Sequence, residues 1–140
     1  MKKFIVDTNC LISYLTNRDE TQRIFVGPYF DSAARSQCTL IVLDVVIIEL
    51  VYVLSGVYCI DLETVHDIVH IILHTPGLTT DYNSGLESAM RLWPEKMNDF
   101  GDALIASYAF RSHIPVLTLD RSFMKELADC DIECETIKSN

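Results

Sequence analysis

The stretch FIVDTNCLISYL, residues 4–15, contains the pattern from which the fold can be worked out. Three apolar residues open it, the polar residues Asp7, Thr8 and Asn9 follow, and apolar residues dominate again from Cys10 onward. This order predicts a buried strand, a turn and a helix. Asp7 is therefore expected at the carboxyl end of the first strand.

The same alternation continues along the rest of the chain. Further strands are predicted at residues 39–43, 78–80, 116–119 and 132–137, and helices at residues 21–35, 45–54, 62–74, 84–92, 100–111 and 121–128. Gly27 and Pro28 interrupt the pattern of the 21–35 segment, whereas Asp44 and Gly56 are expected to cap the two ends of the 45–54 helix. Strands that alternate with helices predict an α/β fold with a largely parallel central sheet, whose site lies at the carboxyl ends of the strands.

Length and composition favour a single domain, residues 1–140. The 140 residues are 49% hydrophobic, which is enough for one buried core. No apolar run reaches the length of a membrane span without a charge, and Asp7 and Asn9 break the N-terminal apolar region before it resembles an export signal. The sequence therefore predicts a cytoplasmic protein without a membrane partner.

The five cysteines predict reduced thiols rather than a disulfide framework. Their number is odd, and no Cys-x-x-Cys pair occurs. Cys10, Cys38 and Cys59 lie in apolar stretches, which is typical of buried thiols. Cys130 and Cys134 are followed by no histidine or further cysteine that would complete a zinc site.

The net charge of −9 argues against a nucleic-acid substrate, because phosphate backbones attract basic proteins. Either the substrate is not a nucleic acid, or part of the negative charge is concentrated at a metal site and offset there. The positions of the acidic residues bear on this choice.

Several aspartates occupy places where a strand leads into a helix. Asp7, Asp44 and Asp120 directly follow predicted strands, so a parallel sheet would bring them to one edge. Helix capping explains each of them separately, because Asp is favoured at such positions. Asp99 and Asp102 have the spacing of an N-cap and its third-position acid, although Asp102 also begins an apolar run.

Glu49 is harder to explain by capping. It is the only charged residue between positions 45 and 60, in a helix that is apolar on nearly all sides. An unpaired carboxylate there would be costly or would become neutral. An ion pair with a distant Arg or Lys is one solution, and a polar cavity that holds a cation is the other.

These acids, with few basic residues near them in sequence, predict a bound divalent cation. Like charges brought together repel each other, and a cation between them removes the repulsion. Oxygen ligands without His or Cys are typical of Mg²⁺ or Mn²⁺ sites, and Mg²⁺ associates with substrate phosphates. Such a site can activate a water for in-line displacement at phosphorus.

Four segments taken together resemble the PIN domain, and in particular the VapC-type toxin ribonucleases of VapBC toxin–antitoxin pairs. They are FIVDTN at residues 4–9, the lone helical Glu49, DALIAS at residues 102–107 and TLDRSF at residues 118–123. Their order and spacing cover essentially the whole chain.

This resemblance implies a three-layer α/β/α fold and hydrolysis of RNA that depends on Mg²⁺ or Mn²⁺. The family's acidic quartet matches Asp7, Glu49, Asp102 and Asp120. Asp7 and Asp102 are expected as the central metal ligands, Asp99 matches an accessory acid, and Thr8 is expected to position water. Cleavage would leave 5′-phosphate and 3′-hydroxyl ends, and the implied partners are RNA, an antitoxin protein and a second copy of the chain.

Weaker predictions concern three histidines and one tryptophan. His66, His70 and His74 recur every four residues, so they share one helix face. A solvent or interface surface is the favoured interpretation there, because one helix rarely completes a metal site. Trp93 could stack on a base, but a core or interface position is favoured.

Three arginines, Arg18, Arg23 and Arg121, are candidates for phosphate contacts, with an ordinary surface side chain as the alternative.

Two other functions also remain open. A phosphatase with an aspartyl nucleophile would use Asp7, but this chain has Asn9 where such enzymes have a second acid. A non-catalytic PIN-like RNA-binding scaffold would be expected to lack one of the acids, and none is lost here.

Overall fold

A computed structural model describes residues 1–81 and 86–135. Its strands are β1 Lys2–Val6, β2 Cys38–Leu43, β3 Leu78–Asp81, β4 Val116–Leu117 and β5 Cys134–Glu135. They form one sheet in the order β3-β2-β1-β4-β5, and every neighbouring pair is parallel. Since β1 lies at the centre, Asp7 leaves the sheet at the middle of its carboxyl edge.

Seven α-helices occur in the described ranges. They are α1 Thr8–Leu15, α2 Glu20–Ala34, α3 Asp44–Tyr52, α4 Leu62–His74, α5 Leu86–Leu92, α6 Phe100–Ser112 and α7 Arg121–Asp129. A π-helical turn, Val53–Val57, prolongs α3. None of these helices has the length and apolarity needed to cross a membrane. The predicted alternation of strands and helices is confirmed.

The central strands are buried on both faces. Successive residues of a strand point to opposite faces, and Ile5 and Val6 are both fully inaccessible, as are Val42 and Leu43 of β2. Helices therefore cover the sheet above and below, which gives the predicted three-layer α/β/α architecture. The continuous apolar runs of β1 and β2 follow from this double burial.

The second helix runs through Gly27 and Pro28, which the sequence pattern predicts as an interruption. Proline removes one backbone hydrogen bond from a helix interior. Val26, Phe30 and Ala33 are nevertheless buried on one side of α2. Tertiary packing of this side holds the helix together across the proline.

Both predicted caps of α3 are wrong. Asp44 is the first helical residue, because β2 leads directly into the helix and Leu43 occupies the cap position without a side-chain hydrogen bond. Gly56 does not end the helix, since the chain continues through it as the π-helical turn. The left-handed backbone occurs later, at Cys59, where φ is 54°.

Smaller differences concern the cysteines and the element ends. All five cysteines are free, and Cys10 and Cys38 are buried, but Cys59 is exposed in the loop after the π-helical turn, against the prediction. The strand β4 ends before Thr118, because that residue turns toward the site. Of the predicted elements at 84–92 and 132–137, residues 84–85 and 136–137 lie outside the described residues.

Candidate active site

Asp7 is the most enclosed of the predicted site residues, with 4% of its surface exposed. It lies between β1 and α1 and caps α1 by accepting a hydrogen bond from the backbone N–H of Thr8 (Oδ1, 2.7 Å). The Thr118 hydroxyl donates to the other oxygen, Oδ2, at 2.5 Å. Burial raises the pKa of Asp7 to about 6, although both hydrogen bonds oppose this rise.

Glu49 is joined to the start of α1 by a hydrogen bond. The Thr8 hydroxyl donates to Oε2 of Glu49 at 2.6 Å, across two helices that are far apart in sequence. Burial raises the pKa of the half-buried Glu49, the Thr8 bond opposes this, and the charge of Asp99 adds to the rise. Thr8 therefore links Glu49 to the segment that carries Asp7.

The glycine at position 101 makes room for Glu49. A Cβ on Gly101 would overlap Oε1 of Glu49 and would lie 3.1 Å from Oδ1 of Asp99. The N-terminus of α6 thus lies directly against the Glu49 carboxylate. This close approach brings α3 and α6 together at the site.

Asp102 has the most strongly perturbed carboxyl group of the cluster. It lies in the first turn of α6 and is partly buried. Burial raises its pKa to about 8, and the negative charges of four neighbouring acids add to the rise. Those neighbours are Asp7, Asp99, Asp120 and Glu49. The other four predicted metal ligands therefore all lie within electrostatic reach of Asp102.

Asp99 and Asp120 are helix caps, as the capping interpretation predicts. Oδ1 of Asp99 accepts from the backbone N–H of Asp102 at 2.9 Å. Oδ1 of Asp120 accepts from the N–H groups of Ser122 and Phe123 at 2.9 and 3.2 Å. Capping uses one oxygen of each carboxylate, so the second oxygen stays available to a cation. Capping and metal binding are compatible at these two positions.

Thr118 is a site residue to which the sequence alone assigns no role. Its side chain is fully buried, donates to Asp7 and accepts from the backbone N–H of Asp120 at 3.1 Å. It thereby fixes the relative positions of two acids from neighbouring strands. In the sequence, Thr118 is marked only as a hydroxyl residue two positions before an acid at the end of a strand. This pattern is too common to identify a site residue.

A model of the PIN domain family matches residues 4–129 of the chain. This chain belongs to the PIN domain family. The VapC ribonuclease of Aquifex aeolicus (strain VF5) is 26% identical over 122 residues, which make up 86% of this chain and 90% of that protein. The predicted resemblance is confirmed.

Solved structures share the fold of this PIN domain at low sequence identity. VapBC2 from Rickettsia felis, crystallised with a DNA fragment from its promoter, gives a TM-score of 0.68 at 17% identity and covers 97% of this chain and 99% of that one. A toxin–antitoxin complex from Klebsiella pneumoniae gives 0.61 at 17% identity, with coverages of 89% and 90%. These likenesses confirm the predicted fold class.

The site acids of this PIN domain (Asp7, Glu49, Asp99, Asp102 and Asp120) form no ion pair with a basic residue among residues 1–81 and 86–135. The ion pair found there joins His66 and Asp67, on the exposed side of α4. The same ranges contain no three His, Cys, Asp or Glu side chains already converging as metal ligands. Mutual repulsion keeps such carboxylates apart when no cation lies between them. The donor set, which consists of oxygen atoms only, and the raised pKa values of Asp7 and Asp102 fit Mg²⁺ or Mn²⁺.

The histidine stripe (His66, His70 and His74) lies on the exposed face of α4, whereas Trp93 lies beside the start of α6. The rings of His70 and His74 are 4.1 Å apart, and those of His66 and His70 are 6.3 Å apart, on the exposed face of α4. The predicted solvent or interface surface is confirmed. Trp93 packs edge-on against Phe100 and donates from Nε1 to a backbone carbonyl.

Proposed function

We propose that this PIN domain is an endoribonuclease that requires Mg²⁺ or Mn²⁺. The observation that carries the proposal is that the carboxylates of Asp7, Glu49, Asp99 and Asp120 all lie within electrostatic reach of Asp102 at the carboxyl edge of the sheet, without basic partners in the described ranges. The VapC name of the Aquifex relative supports RNA as the substrate. A cellular RNA substrate is consistent with a cytoplasmic location.

Each acid would have a distinct part in this activity. Asp7 and Asp102 would be the central ligands, because they are the most buried of these acids and Asp7 is the strongest of the charges that act on Asp102. Glu49 and Asp120 would complete the site, with Asp99 as an accessory acid. A divalent cation supplies charge neutralisation and activation of water for attack on phosphorus. Thr8, bonded to Glu49, orients that carboxylate and presents its hydroxyl beside the site.

The decisive experiment is incubation of the purified chain with a short single-stranded RNA. Cleavage is expected with Mg²⁺ or Mn²⁺, with loss of activity in a chelator and in Asp7→Asn, which keeps the shape of the side chain but removes its charge. Lys125→Gln, an exposed change on α7, is the matched control and should cleave normally. Absence of metal-dependent cleavage across a broad panel of RNAs would falsify the proposal and favour the non-catalytic RNA-binding scaffold.

We also propose that the protein is a toxin held by an antitoxin and that it forms a homodimer. The solved relatives include a VapBC pair and a toxin–antitoxin complex. The chain exposes large apolar side chains along α3, the π-helical turn and α4, including Ile48, Tyr52, Val57, Leu62 and Ile71. An apolar surface of this kind marks a protein interface.

Light scattering on the purified chain tests the homodimer. The expected mass is twice the 15.9 kDa of the chain, and Ile48→Asp should shift it to the monomer by placing a charge in the apolar surface. Glu63→Gln, an exposed polar change on α4, should leave the mass unchanged. A wild-type monomer at all concentrations would contradict the homodimer.

For the antitoxin, the protein encoded beside this gene should suppress RNA cleavage when co-purified, and unimpaired cleavage would contradict that partner.

A further inference from the structure

Arg18 is held in a defined orientation against the first helix. It lies in the loop between α1 and α2, and its guanidinium donates to Oδ1 of Asn9 (3.2 Å), Oγ of Ser13 (3.1 Å) and Oε1 of Gln22 (3.2 Å). Ser13 is fully buried and donates its own proton to the same Gln22 oxygen at 2.9 Å. The guanidinium is therefore anchored by groups that are themselves fixed.

The positive charge of Arg18 is not neutralised by these contacts. All of its acceptors are uncharged oxygens, including the backbone carbonyl of Asn9 at 3.5 Å. The neighbouring acid, Asp19, uses Oδ1 to cap α2 through the N–H of Gln22. Within the described ranges Arg18 forms no ion pair. In a chain of net charge −9, an oriented cation without an acid is available to an external anion.

Arg18 also lies beside the start of the helix that Asp7 caps. Asn9, its contact, is the second residue of α1, and the preceding Thr8 is bonded to Glu49. The guanidinium therefore contacts the residue next to Thr8, at the start of the helix that Asp7 caps.

We propose that Arg18 binds a phosphodiester of the RNA strand next to the one that is cleaved. This inference rests on the proposed function and identifies a contact of the same site with its substrate. A guanidinium has five N–H donors, and four contacts leave one for a phosphate oxygen. The proposal accounts for how RNA is held near a cluster of carboxylates, because one fixed cation offsets their repulsion at the point of entry.

The test compares Arg18→Gln with Arg35→Gln in RNA cleavage. Arg35 is a matched control, since it follows α2, is exposed and is bonded to a neutral oxygen, Oε1 of Gln37, at 3.4 Å. Arg18→Gln is expected to raise KM about tenfold with kcat within about twofold, because a charge-assisted hydrogen bond to substrate is lost. It should also reduce the slope of log(kcat/KM) against log salt by about 0.7, the value for one phosphate contact on a single strand.

A structural role of Arg18 would produce different results. Loss of the anchor alone would lower the melting temperature and kcat and leave the salt slope unchanged. Arg18→Lys keeps the charge and should retain the salt slope even if its KM is raised. Equal slopes for wild type, Arg18→Gln and Arg35→Gln in an enzyme that cleaves RNA would overturn the role of Arg18. Absence of cleavage by the wild type would instead overturn the proposed function.

Discussion

Asp102→Asn is expected to lower metal-dependent RNA cleavage by at least about 100-fold and to stabilise the metal-free protein at pH 8. The first effect follows because the substitution removes a charged ligand from the centre of the cluster. Mutation of a residue that only hydrogen-bonds to a metal ligand already lowers metal affinity or activity by about 10- to 100-fold. The second follows because the Asp102 carboxylate is buried among four other acids.

The sign of the stability effect follows from the raised pKa of Asp102. Its pKa is about 8 in the folded protein, against an ordinary value of 3.8. Between these values the folded chain keeps a proton that the unfolded chain has lost, so the stability of the metal-free protein falls as the pH rises. Asn carries no charge at any pH. The variant should therefore resemble the wild type near pH 4 and exceed it in melting temperature at pH 8.

The measurement is thermal unfolding in a chelator at pH 4, 6 and 8, beside a cleavage assay with Mn²⁺. Asp31→Asn is the matched control, because Asp31 is exposed on α2 away from the cluster. It should leave both the cleavage rate and the pH dependence of unfolding unchanged. A lower melting temperature of Asp102→Asn at pH 8 would show that this carboxylate is not repelled by its neighbours.

The sequence predicts the acids of the site because their signals are local. Asp7 and Asp120 each follow an apolar strand, and a parallel sheet brings strand ends to one edge. Glu49 is conspicuous as a charge in an apolar helix. The capping interpretation of Asp99 and Asp120 is also correct, and it does not compete with a place in the cluster.

The contacts that hold these acids in place could not be predicted, because they join distant parts of the chain. Thr118 and Asp7 are 111 residues apart, and Thr8 and Glu49 are 41 apart. The position of Gly101 against Glu49 depends on how α3 and α6 pack. Where local preference and packing disagree, packing decides, as in the continuous helix through Pro28.

The affinity of the site for a divalent cation is expected to rise about 100-fold between pH 6 and pH 8. Binding requires ionised carboxylates, whereas burial and mutual repulsion raise the pKa of Asp102 to about 8 and that of Asp7 to about 6. At pH 6 Asp102 is almost fully protonated and Asp7 about half protonated. The cation must displace these protons, so the apparent affinity rises about tenfold for each unit by which the pH increases toward the pKa of Asp102.

Titration calorimetry with Mn²⁺ at pH 6, 7 and 8 measures this dependence directly. Repeating the pH 7 titration in buffers of different ionisation enthalpy should show release of about one proton per cation, contributed mainly by Asp102. Asp102→Asn should bind more weakly and lose most of the pH dependence between pH 7 and 8, while Asp31→Asn should retain it. An affinity independent of pH would mean that the cation binds without Asp102, and the site would then have to be built from the other acids alone.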